Sequence, residues 1–547
     1  MQSAEFPSHK PAIHVPNWAL ILLFIAYALP GNIGHAPWRG DDALHIGIAF
    51  NMLDSGNWLT PAVAGIAHYE WPPLTHWAGA ITGTLFGWLL PLHDAIRLAN
   101  VAALTLMLVL LRFSARSLYG RESASAAAML ALGSLGLLIH AHEMQPQIML
   151  ATALTACLYG LIRMREASLS GALIAGAGSG AAFLASGLPG LVLTLPLFLL
   201  PQPARGVREW LALLLPTFLL SAGWPLLLGV FAPDYLGNWW AHELRSIAPH
   251  AGHLQRASDF ANLAGWFTWP LWPVAVWAIW RRRQRLKEFA FALPLLSVLL
   301  ALGLAITTGS MRPANLVPLL IPLILLAAGE LCQLRRGAAN AFDWFGVITF
   351  TLLGAGLWVA WSALHFGWPV PLSRNVLRLL PGFDPQWSWP QLLLAIVLSV
   401  GWLLAIVRLP FFQLRGAVHW ALGVTLVWGL ATTLWLTWFD HDKNYGPLAQ
   451  DLARVIAREG GDCVAGIDVG DSQRAALHYF IDLKVQPQAR DAAPRCALAL
   501  AYTRAERPLP ELHPDWQKVW EKRRGRGRFA ERFALYTRQA RGLASHD

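Results

Sequence analysis

WRGDDALH at residues 38–45 interrupts a chain that is hydrophobic before it. Two further polar stretches, NMLDSGNW at 51–58 and HYEWPPL at 68–74, follow before the next long apolar segment. The acids Asp41 and Asp42 therefore come directly after one candidate membrane span, at the depth where the phosphate of a lipid headgroup lies. This position makes the loop a candidate site for chemistry on a membrane-bound substrate.

Composition excludes an ordinary soluble enzyme. Of the 547 residues, 55% are hydrophobic and only 14% are charged, and the mean hydropathy is +0.43. A water-solvated core could not bury so much apolar surface. The sequence therefore predicts a polytopic α-helical membrane protein.

Apolar segments about 20 residues long, which is the length that crosses a bilayer, recur along the chain. We predict thirteen spans, at 17–34, 94–111, 122–141, 148–162, 170–187, 188–202, 209–231, 263–280, 289–307, 314–332, 343–366, 389–407 and 417–437. The first is expected to be a retained span and not a signal peptide, because no small-residue cleavage site follows it cleanly. The apolar segment 74–90 is expected to lie along the outer membrane surface, since a span there would reverse the side of the basic loops.

With that topology the basic residues separate by side. Short loops on one side hold Arg112, Arg116, Arg121, Arg163, Arg165, Arg205, Arg208, Arg281, Arg282, Arg283, Arg285, Lys287, Arg335, Arg336, Arg408 and Arg415. The opposite membrane loops hold only Arg39, Arg97, Arg245, Arg256, Arg312, Arg374 and Arg378. We therefore expect a cytoplasmic N-terminus and an external tail. The net charge of +10 suits loops that face anionic lipid, and it requires no nucleic-acid partner.

The sequence changes character near residue 440. This change predicts a transmembrane domain at 1–439, with a first external catalytic loop at 35–93, and a small periplasmic α/β domain at 440–547. Within the tail, helical spacing occurs at 447–459 and 472–480, and strand-like apolar runs occur at 463–467 and 496–502.

The tail contains two cysteines, Cys463 and Cys496. An even pair in an oxidising compartment favours a disulfide bridge, although two free thiols are the alternative. Cys157 and Cys332 fall within predicted spans, where a small apolar packing role is expected.

The acids of the loop allow two interpretations. Asp41 and Asp42 begin a stretch with helical spacing, and carboxylates at a helix N-terminus satisfy free N–H groups and complement the helix dipole. The second interpretation is chemical, because Glu70 precedes the stiff pair Pro72-Pro73 and returns to the same membrane face. A carboxylate at a low-dielectric boundary can act as a general base.

Four segments of the loop carry a family likeness: DDALHIGIAFNMLDSGNWLTP at 41–61, YEWPPLTHW at 69–77, LFG at 85–87 and Arg97-Leu98. They resemble the first external loop of bacterial relatives of the protein O-mannosyltransferases, which include the aminoarabinose transferases that modify lipid A. These are membrane glycosyltransferases of the GT-C type, which take a sugar from a polyprenyl phosphate. The likeness covers residues 38–100 well and is looser beyond them, at Ser186-Gly187 and Arg312-Pro313.

The resemblance assigns roles to three acids. It implies that Asp41 is the catalytic acid of an Asp41-Asp42 pair, that Asp42 takes part in catalysis by orienting the substrate or a metal ion, and that Glu70 binds a metal ion or the substrate. The chain also departs from the family pattern, since Trp71 and Ser186 stand where lysines are usual and Gln147 stands where an acid is expected. These departures concern the donor and its phosphate, and they leave Asp41 in place.

The implied function is transfer of a sugar from a polyprenyl-phosphate donor to an acceptor at the periplasmic face of the bacterial inner membrane. The acceptor is lipid A, another surface glycan or a protein, and Asp41 accepts the proton of its hydroxyl group. Substrate contacts are expected from Glu70, Arg39, His45, Tyr69, Arg245, Arg256 and Arg312. A divalent metal ion is a candidate cofactor, held by Glu70 with His242, His250 or His253.

Two other classes remain open at the sequence level. A polytopic transporter should show paired broken spans or inverted repeats and buried charges, whereas the spans here carry few ionisable groups. A non-catalytic envelope-assembly protein would use the loop acids only for structure. The sequence names neither the sugar nor the acceptor.

Overall fold

The protein is a bundle of helices joined to a small mixed sheet at its C-terminal end. This computed structural model describes residues 15–201, 206–248, 257–308, 312–380, 382–490, 495–504, 507–525 and 530–538. The apolar bundle comes first in the chain, and the sheet is formed by the tail.

The helices of the membrane region alternate between long apolar rods and short connecting helices. They are α1 (Asn17–Ala28), α2 (Asp41–Ser55), α3 (Leu74–Phe86), α4 (Leu92–Tyr119), α5 (Arg121–Leu132), α6 (Leu135–His140), α7 (Pro146–Arg163), α8 (Ser168–Ser186), α9 (Leu188–Thr194), α10 (Val207–Phe231), α11 (Pro233–Ser246), α12 (Ala257–Phe267), α13 (Leu271–Arg281), α14 (Phe289–Thr307), α15 (Val317–Leu331), α16 (Arg336–Phe366), α17 (Val370–Leu379), α18 (Trp389–Arg408), α19 (Arg415–Leu434) and α20 (Leu436–Lys443). Short 3-10 turns at Leu195–Leu199 and Pro313–Leu316 extend α9 and precede α15.

The tail adds two helices and most of the strands. These are α21 (Gly446–Glu459), α22 (Asp471–Ile481), β3 (Val464–Ile467), β4 (Gln486–Pro487), β5 (Leu498–Arg504), β6 (Trp516–Arg524) and β7 (Glu531–Arg538), while the loop carries a hairpin of β1 (Ala62–Val63) and β2 (Ile66–Ala67).

Eight helical segments within the described residues are long and apolar enough to cross a bilayer. Two shorter apolar segments, Asn17–Ala28 and Leu188–Leu199, accompany them. These helices and the C-terminal sheet confirm the expected fold class, a polytopic helical membrane protein with a small α/β tail. The count of thirteen spans stays a prediction, as do the domain limits at 439 and 440.

Three of the expected spans differ from the helices that form. The first, 17–34, is helical only to Ala28, because the chain turns at Pro30. The segment 122–141 breaks at Gly133, whose carbonyl accepts a hydrogen bond of 2.7 Å from the Trp420 indole. The segment 263–280 breaks before Pro270, which has no N–H to continue a helix. The two breaks meet, since the Leu135 N–H donates to the carbonyl of Trp269.

Small residues set the packing of α7 against α8. A Cβ atom added at Gly160, Gly171 or Gly178 would collide with the backbone of the facing helix. Helix backbones can therefore approach closely, which is how helices associate where lipid removes the usual hydrophobic drive. This close pair forms part of the rigid wall behind the loop.

The basic helix ends lie together at one end of the bundle. Three contacts join them: the Arg112 guanidinium to Asn17 at the start of α1, the Tyr119 hydroxyl to the carbonyl of Ala290, and Arg281 to Glu330. The start of α1 therefore lies at the basic end, whereas the tail contacts the loop at the other end.

The tail sheet has the strand order β4-β3-β5-β7-β6. Strand β3 pairs in parallel with β4 and with β5, and β5, β7 and β6 pair antiparallel. The strand-like and helical runs expected from the sequence coincide with β3, β5, α21 and α22 within two residues. Strands β6 and β7 were not expected, because their exposed charged positions hide the apolar alternation.

The tail holds the loop helix α2 from outside the bundle. Helix α22 packs directly on α2, and a Cβ atom at Gly47 would lie 2.5 Å from the Cβ of Ala475. The Arg474 guanidinium crosses to the loop hairpin and donates to the carbonyl of Val63 at 2.9 Å. The position of α2, and of the acids that begin it, therefore depends on the tail.

Candidate active site

Asp41 is the first residue of α2 and is half-buried. Gly40 precedes it with φ +101°, a conformation that favours glycine. The Ser472 hydroxyl of the tail donates to the Gly40 carbonyl at 2.8 Å and accepts from the Gly40 N–H at 3.0 Å. In the part of the chain that the structure describes, no group hydrogen-bonds to the Asp41 carboxylate. Asp41 is therefore held in place by its backbone, with its side chain available.

Asp42 has the opposite surroundings, since both of its oxygens are occupied. The Arg97 guanidinium donates to Oδ2 at 2.7 Å and to Oδ1 at 3.1 Å. The N–H groups of Trp38 and Met144 each add a bond of 3.0 Å. Burial opposes ionisation of Asp42, but the charge and hydrogen bonds of Arg97 outweigh it and lower the pKa. This carboxylate joins α2 to α4, which argues against the catalytic role expected for it.

Glu70 and Arg312 form an ion pair whose charges act on Asp41. The Arg312 guanidinium bonds Glu70 Oε1 at 2.8 Å, although the two residues are 242 positions apart in the chain. Burial raises the pKa of Asp41, the Arg312 charge lowers it, and the charges of Glu70 and Asp42 raise it again. Asp41 is therefore a partly desolvated carboxylate whose net pKa lies above its ordinary value, as a general base requires.

A cavity of about 510 Å³ opens beside this pair. Its polar lining includes Glu70, Arg312 and His242, and its apolar lining comes from spans, with Leu150 on α7 and Leu304 on α14. A volume of this size suits a small-molecule head group. The combination of a charged end and apolar helix faces fits a ligand with a polar head and a lipid tail.

The three departures from the family pattern meet in this cavity. Trp71, Gln147 and Ser186 come from three separate segments of the chain, and all of them line it. The Gln147 amide donates to Asn315 Oδ1 at 3.3 Å, which ties α7 to the start of α15. The chain therefore differs from the family pattern at one place in the fold, the lining of this cavity.

Two acids of this region escaped the sequence analysis. Glu243 lines the cavity, and its Oε1 accepts a 2.5 Å hydrogen bond from the Leu188 N–H, while a Cβ atom at Gly187 would collide with it. Burial raises the pKa of Glu243 to about 7. Burial and then the charge of Asp42 likewise raise the pKa of Glu143 to about 7. The sequence did offer a signal for Glu143, because this acid stands in the short external segment between the predicted spans 122–141 and 148–162.

The remaining expected substrate contacts lie elsewhere. Arg39 pairs with Asp442 of α20 at 3.1 Å. His45 is buried, shares a 3.1 Å hydrogen bond with His76, and is not among the residues that line the cavity. The remaining three are Tyr69, which packs on Tyr235, Arg245, which is exposed outside the cavity lining, and Arg256, which lies outside the described residues.

The expected metal ligands are only partly brought together. Glu70 and His242 line the same cavity, and burial lowers the pKa of His242 while the Glu70 charge opposes that shift. His250 and His253 lie outside the described residues. Of the ligands expected from the sequence, two therefore line the cavity, and one of them, Glu70, already bonds Arg312.

A second set of possible ligands lies between α2 and the tail. Atoms of Asp54, His478 and Asp482 approach within 4.8 Å of one another. The Lys484 ammonium lies 3.1 Å from Asp54 Oδ2 and already supplies a positive charge there. This set joins the loop to the tail and is not part of the cavity.

Cys463 and Cys496 are joined in the structure, with Cα atoms 5.2 Å apart. Cys463 precedes β3 and Cys496 precedes β5, and these two strands pair in parallel. Cys157 and Cys332 are free. The bridge therefore lies in the tail sheet, away from the cavity.

Comparison with known proteins supports the family likeness. No protein-family model matches the chain. The undecaprenyl phosphate-alpha-4-amino-4-deoxy-L-arabinose arabinosyl transferase of Pseudomonas savastanoi pv. phaseolicola is 28% identical over 427 residues, which span 74% of this chain and 76% of that protein. The enzyme of the same description from Pseudomonas aeruginosa is 28% identical over 418 residues, 71% of this chain and 74% of its own.

Solved structures show the same fold. The crystal structure of ArnT from Cupriavidus metallidurans bound to undecaprenyl phosphate superposes with a TM-score of 0.63, covering 95% of this chain and 98% of that one at 17% identity. Its apo state gives 0.62 at 18% identity. The chain is therefore similar in sequence to these arabinosyl transferases, and it has the fold of ArnT.

Proposed function

We propose that this protein transfers a sugar from a polyprenyl-phosphate donor to an acceptor hydroxyl, with Asp41 as the general base. The observation that carries the proposal is the unbonded, partly buried carboxylate of Asp41 beside the Glu70–Arg312 pair, next to a cavity with a polar end and apolar helix faces. The curated relatives are named as transferases that use an undecaprenyl-phosphate sugar.

The chemical step needs one proton acceptor and one stabilised leaving group. The acceptor oxygen attacks the anomeric carbon, the bond from that carbon to the phosphate oxygen breaks, and the hydroxyl proton passes to the Asp41 carboxylate. Polyprenyl phosphate leaves with the bonding electron pair. A positioned base contributes about 10² to 10⁴ in rate, and the raised pKa of Asp41 favours proton uptake.

Arg312 is the arginine we assign to the donor phosphate. It lines the cavity, whereas Arg39 and Arg245 are not among the lining residues. An arginine offers a planar fork of N–H groups that matches phosphate. Negative charge grows on the phosphate as the bond breaks, so a guanidinium beside it stabilises the transition state more than the ground state.

The donor sugar is proposed to carry an amino group. Glu243 places a largely buried carboxyl at the cavity, and in the described chain the oxygen other than Oε1 has no partner. A cationic amine would pair with that oxygen and bring the raised pKa of Glu243 back down. The relatives are named for 4-amino-4-deoxy-L-arabinose. The altered lining at Trp71, Gln147 and Ser186 concerns the rest of the head group, and lipid A, another surface glycan or a protein is the acceptor.

We place the reaction at the periplasmic face of a bacterial inner membrane, with a cytoplasmic N-terminus and a periplasmic domain at 440–547. The gathering of basic helix ends at one end of the bundle supports this orientation. Reporter fusions at Arg285 and Asp451 should give opposite signals, and equal signals at both positions would refute it.

A divalent metal ion is proposed as a cofactor, with Glu70 and His242 as its ligands. Such an ion would add positive charge at the donor phosphate. Chelation followed by re-addition of Zn²⁺, Mn²⁺ or Mg²⁺ tests this: a reversible loss of transfer supports the metal, and unchanged transfer removes it while leaving the role of Asp41 intact.

The experiment that tests the function uses purified full-length protein with undecaprenyl-phosphate aminoarabinose and lipid A, with products identified by mass spectrometry. We expect aminoarabinosyl lipid A and free undecaprenyl phosphate in equal amounts. Asp41→Asn is the matched inactive control. Absence of any transfer to lipid A and to other isolated envelope glycans and proteins would overturn the proposal.

A further inference from the structure

A second pocket, of about 350 Å³, lies at the basic end of the bundle. It is formed by the start of α1, the last third of α4 and the start of α5. Arg112 in this pocket follows Arg97 on the same helix by fifteen positions, which places it about 22 Å along the helix axis from the ion pair with Asp42. The pocket is therefore separate from the donor cavity.

Three arginines line the pocket without an acidic partner. Arg112, Arg116 and Arg121 make no ion pair with any carboxylate of the described residues. Glu122 is the acid in the first turn of α5, and it pairs with none of them. Three guanidinium groups around one pocket repel one another, and an anion between them would remove that repulsion.

Arg112 supplies an independent sign of a missing ligand. One end of its guanidinium donates to Asn17 Oδ1 at 2.8 Å. Its Nε–H, however, is buried and has no partner in the described chain. A buried unpaired N–H is costly and calls for an acceptor. Helix α5, whose N-cap Gly120 makes no side-chain cap, adds free backbone N–H groups near Arg121.

An exposed apolar surface continues from the pocket. On α4, Phe113 and Val109 line the pocket, and Leu106 one turn further on is also exposed. On α1, Trp18 and Leu22 are exposed. Helix α4 is long and apolar enough to cross a membrane and α1 is a shorter apolar helix, so this surface is suited to acyl chains. The pocket thus presents cationic groups at the headgroup end and apolar side chains below them.

We propose that this pocket binds the phosphate of an anionic phospholipid, whose acyl chains lie along α1 and α4. The arginine fork matches a phosphodiester, and the apolar surface distinguishes a lipid from free phosphate. The loop charge that favours one membrane orientation explains why arginines are here, but it does not explain a pocket or a buried unpaired N–H.

The test measures lipid retention by native mass spectrometry of the full-length protein in micelles doped with phosphatidylglycerol or phosphatidylcholine. Each arginine near a lipid phosphate contributes roughly fivefold, so we expect phosphatidylglycerol to be held about 10²-fold more tightly. Arg112→Gln should lower that preference at least about fivefold. Arg408→Gln removes an exposed arginine at the C-terminus of α18 and is the matched control, with no expected change.

Arg116→Gln gives a second variant if Arg112→Gln fails to fold, because Arg116 is exposed. Equal retention of the two lipids would overturn the proposal, and so would an equal effect of Arg112→Gln and Arg408→Gln. Inorganic phosphate that displaces phosphatidylglycerol at equal concentration would assign the pocket to a free anion and would also overturn it. The expected result is that inorganic phosphate leaves the bound phosphatidylglycerol in place.

Discussion

Asp41 and Asp42 are neighbours at the start of α2, yet they belong to different regions of the molecule. Asp42 lies in a closed region between α2 and α4, where Arg97 and two backbone N–H groups use both of its oxygens. Asp41 lies in an open region beside the Glu70–Arg312 pair that lines the cavity; it is not itself a lining residue, and it has no hydrogen bond among the described residues. Successive helix residues point about 100° apart, so an acidic pair divides into a structural member and a reactive member.

The closed region gives the largest expected effect. Asp42→Asn removes one of two buried carboxylates that pair with Arg97 and leaves Asp94 at 3.0 Å as its remaining acidic partner, which should cost up to about 5 kcal/mol of unfolding free energy. Because the folded pKa of Asp42 is lowered, wild-type stability is present at neutral pH and is lost as pH falls through that pKa. Denaturant unfolding in micelles at neutral and acidic pH measures both. Unchanged stability in Asp42→Asn would erase the distinction between the two regions.

Removal of the disulfide tests whether the tail holds α2 in place from outside the bundle. Cys463→Ser should destabilise the tail by about 3–4 kcal/mol, the value expected for closing a loop of this length. Protease resistance of the tail measures this loss, and Cys332→Ser, which removes a free cysteine, is the control. The bridge itself is checked by alkylating denatured, non-reduced protein. Labelling of both tail cysteines would remove the bridge.

The open region is probed by Arg312→Gln. The loss of a charged hydrogen bond to the donor phosphate should lower kcat/KM about tenfold to a hundredfold. Stability should change little, since the Arg312–Glu70 pair is partly exposed. Arg245→Gln changes an exposed arginine outside the cavity and should leave kcat/KM near wild type. Equal losses in both variants would take Arg312 out of the site.

The smallest expected effect concerns the sugar. Glu243→Gln keeps the hydrogen bond from Leu188 available but removes the negative charge, so the preference for an amino-sugar donor over its hydroxyl analogue should fall about tenfold. Competition between the two donors in one reaction gives the ratio directly. A fall in both rates with an unchanged ratio would assign Glu243 to structure.

The comparison also shows what a sequence can and cannot predict. Composition and apolar length predict the bundle, and short patterns predict β3, β5, α21 and α22 because their buried faces are continuous. Breaks at Gly133 and before Pro270 depend on partners far along the chain, such as Trp420, and no local pattern reports them. Segment 17–34 ends early for a local reason, the turn at Pro30.

The site residues also divide into those that the sequence predicts and those that depend on distant contacts. The loop motif predicts Asp41 and Glu70, and the arginine list includes Arg312. The sequence does not indicate that Arg39 pairs with α20 or that His45 is buried against His76, since those partners lie distant in sequence. Glu243 was missed because its role depends on a cavity built from several helices. Residue type and spacing identify candidates, and only tertiary contacts select among them.

The most direct test of the account is the transfer rate of purified Asp41→Asn, measured with its unfolding free energy and beside Asp42→Asn. We predict a rate at least about 10²-fold below wild type, equivalent to roughly 2.7 kcal/mol in the barrier, with stability nearly unchanged. Wild-type transfer should also fall with decreasing pH through the raised pKa of Asp41. Near-normal turnover by Asp41→Asn would contradict the assignment of the general base.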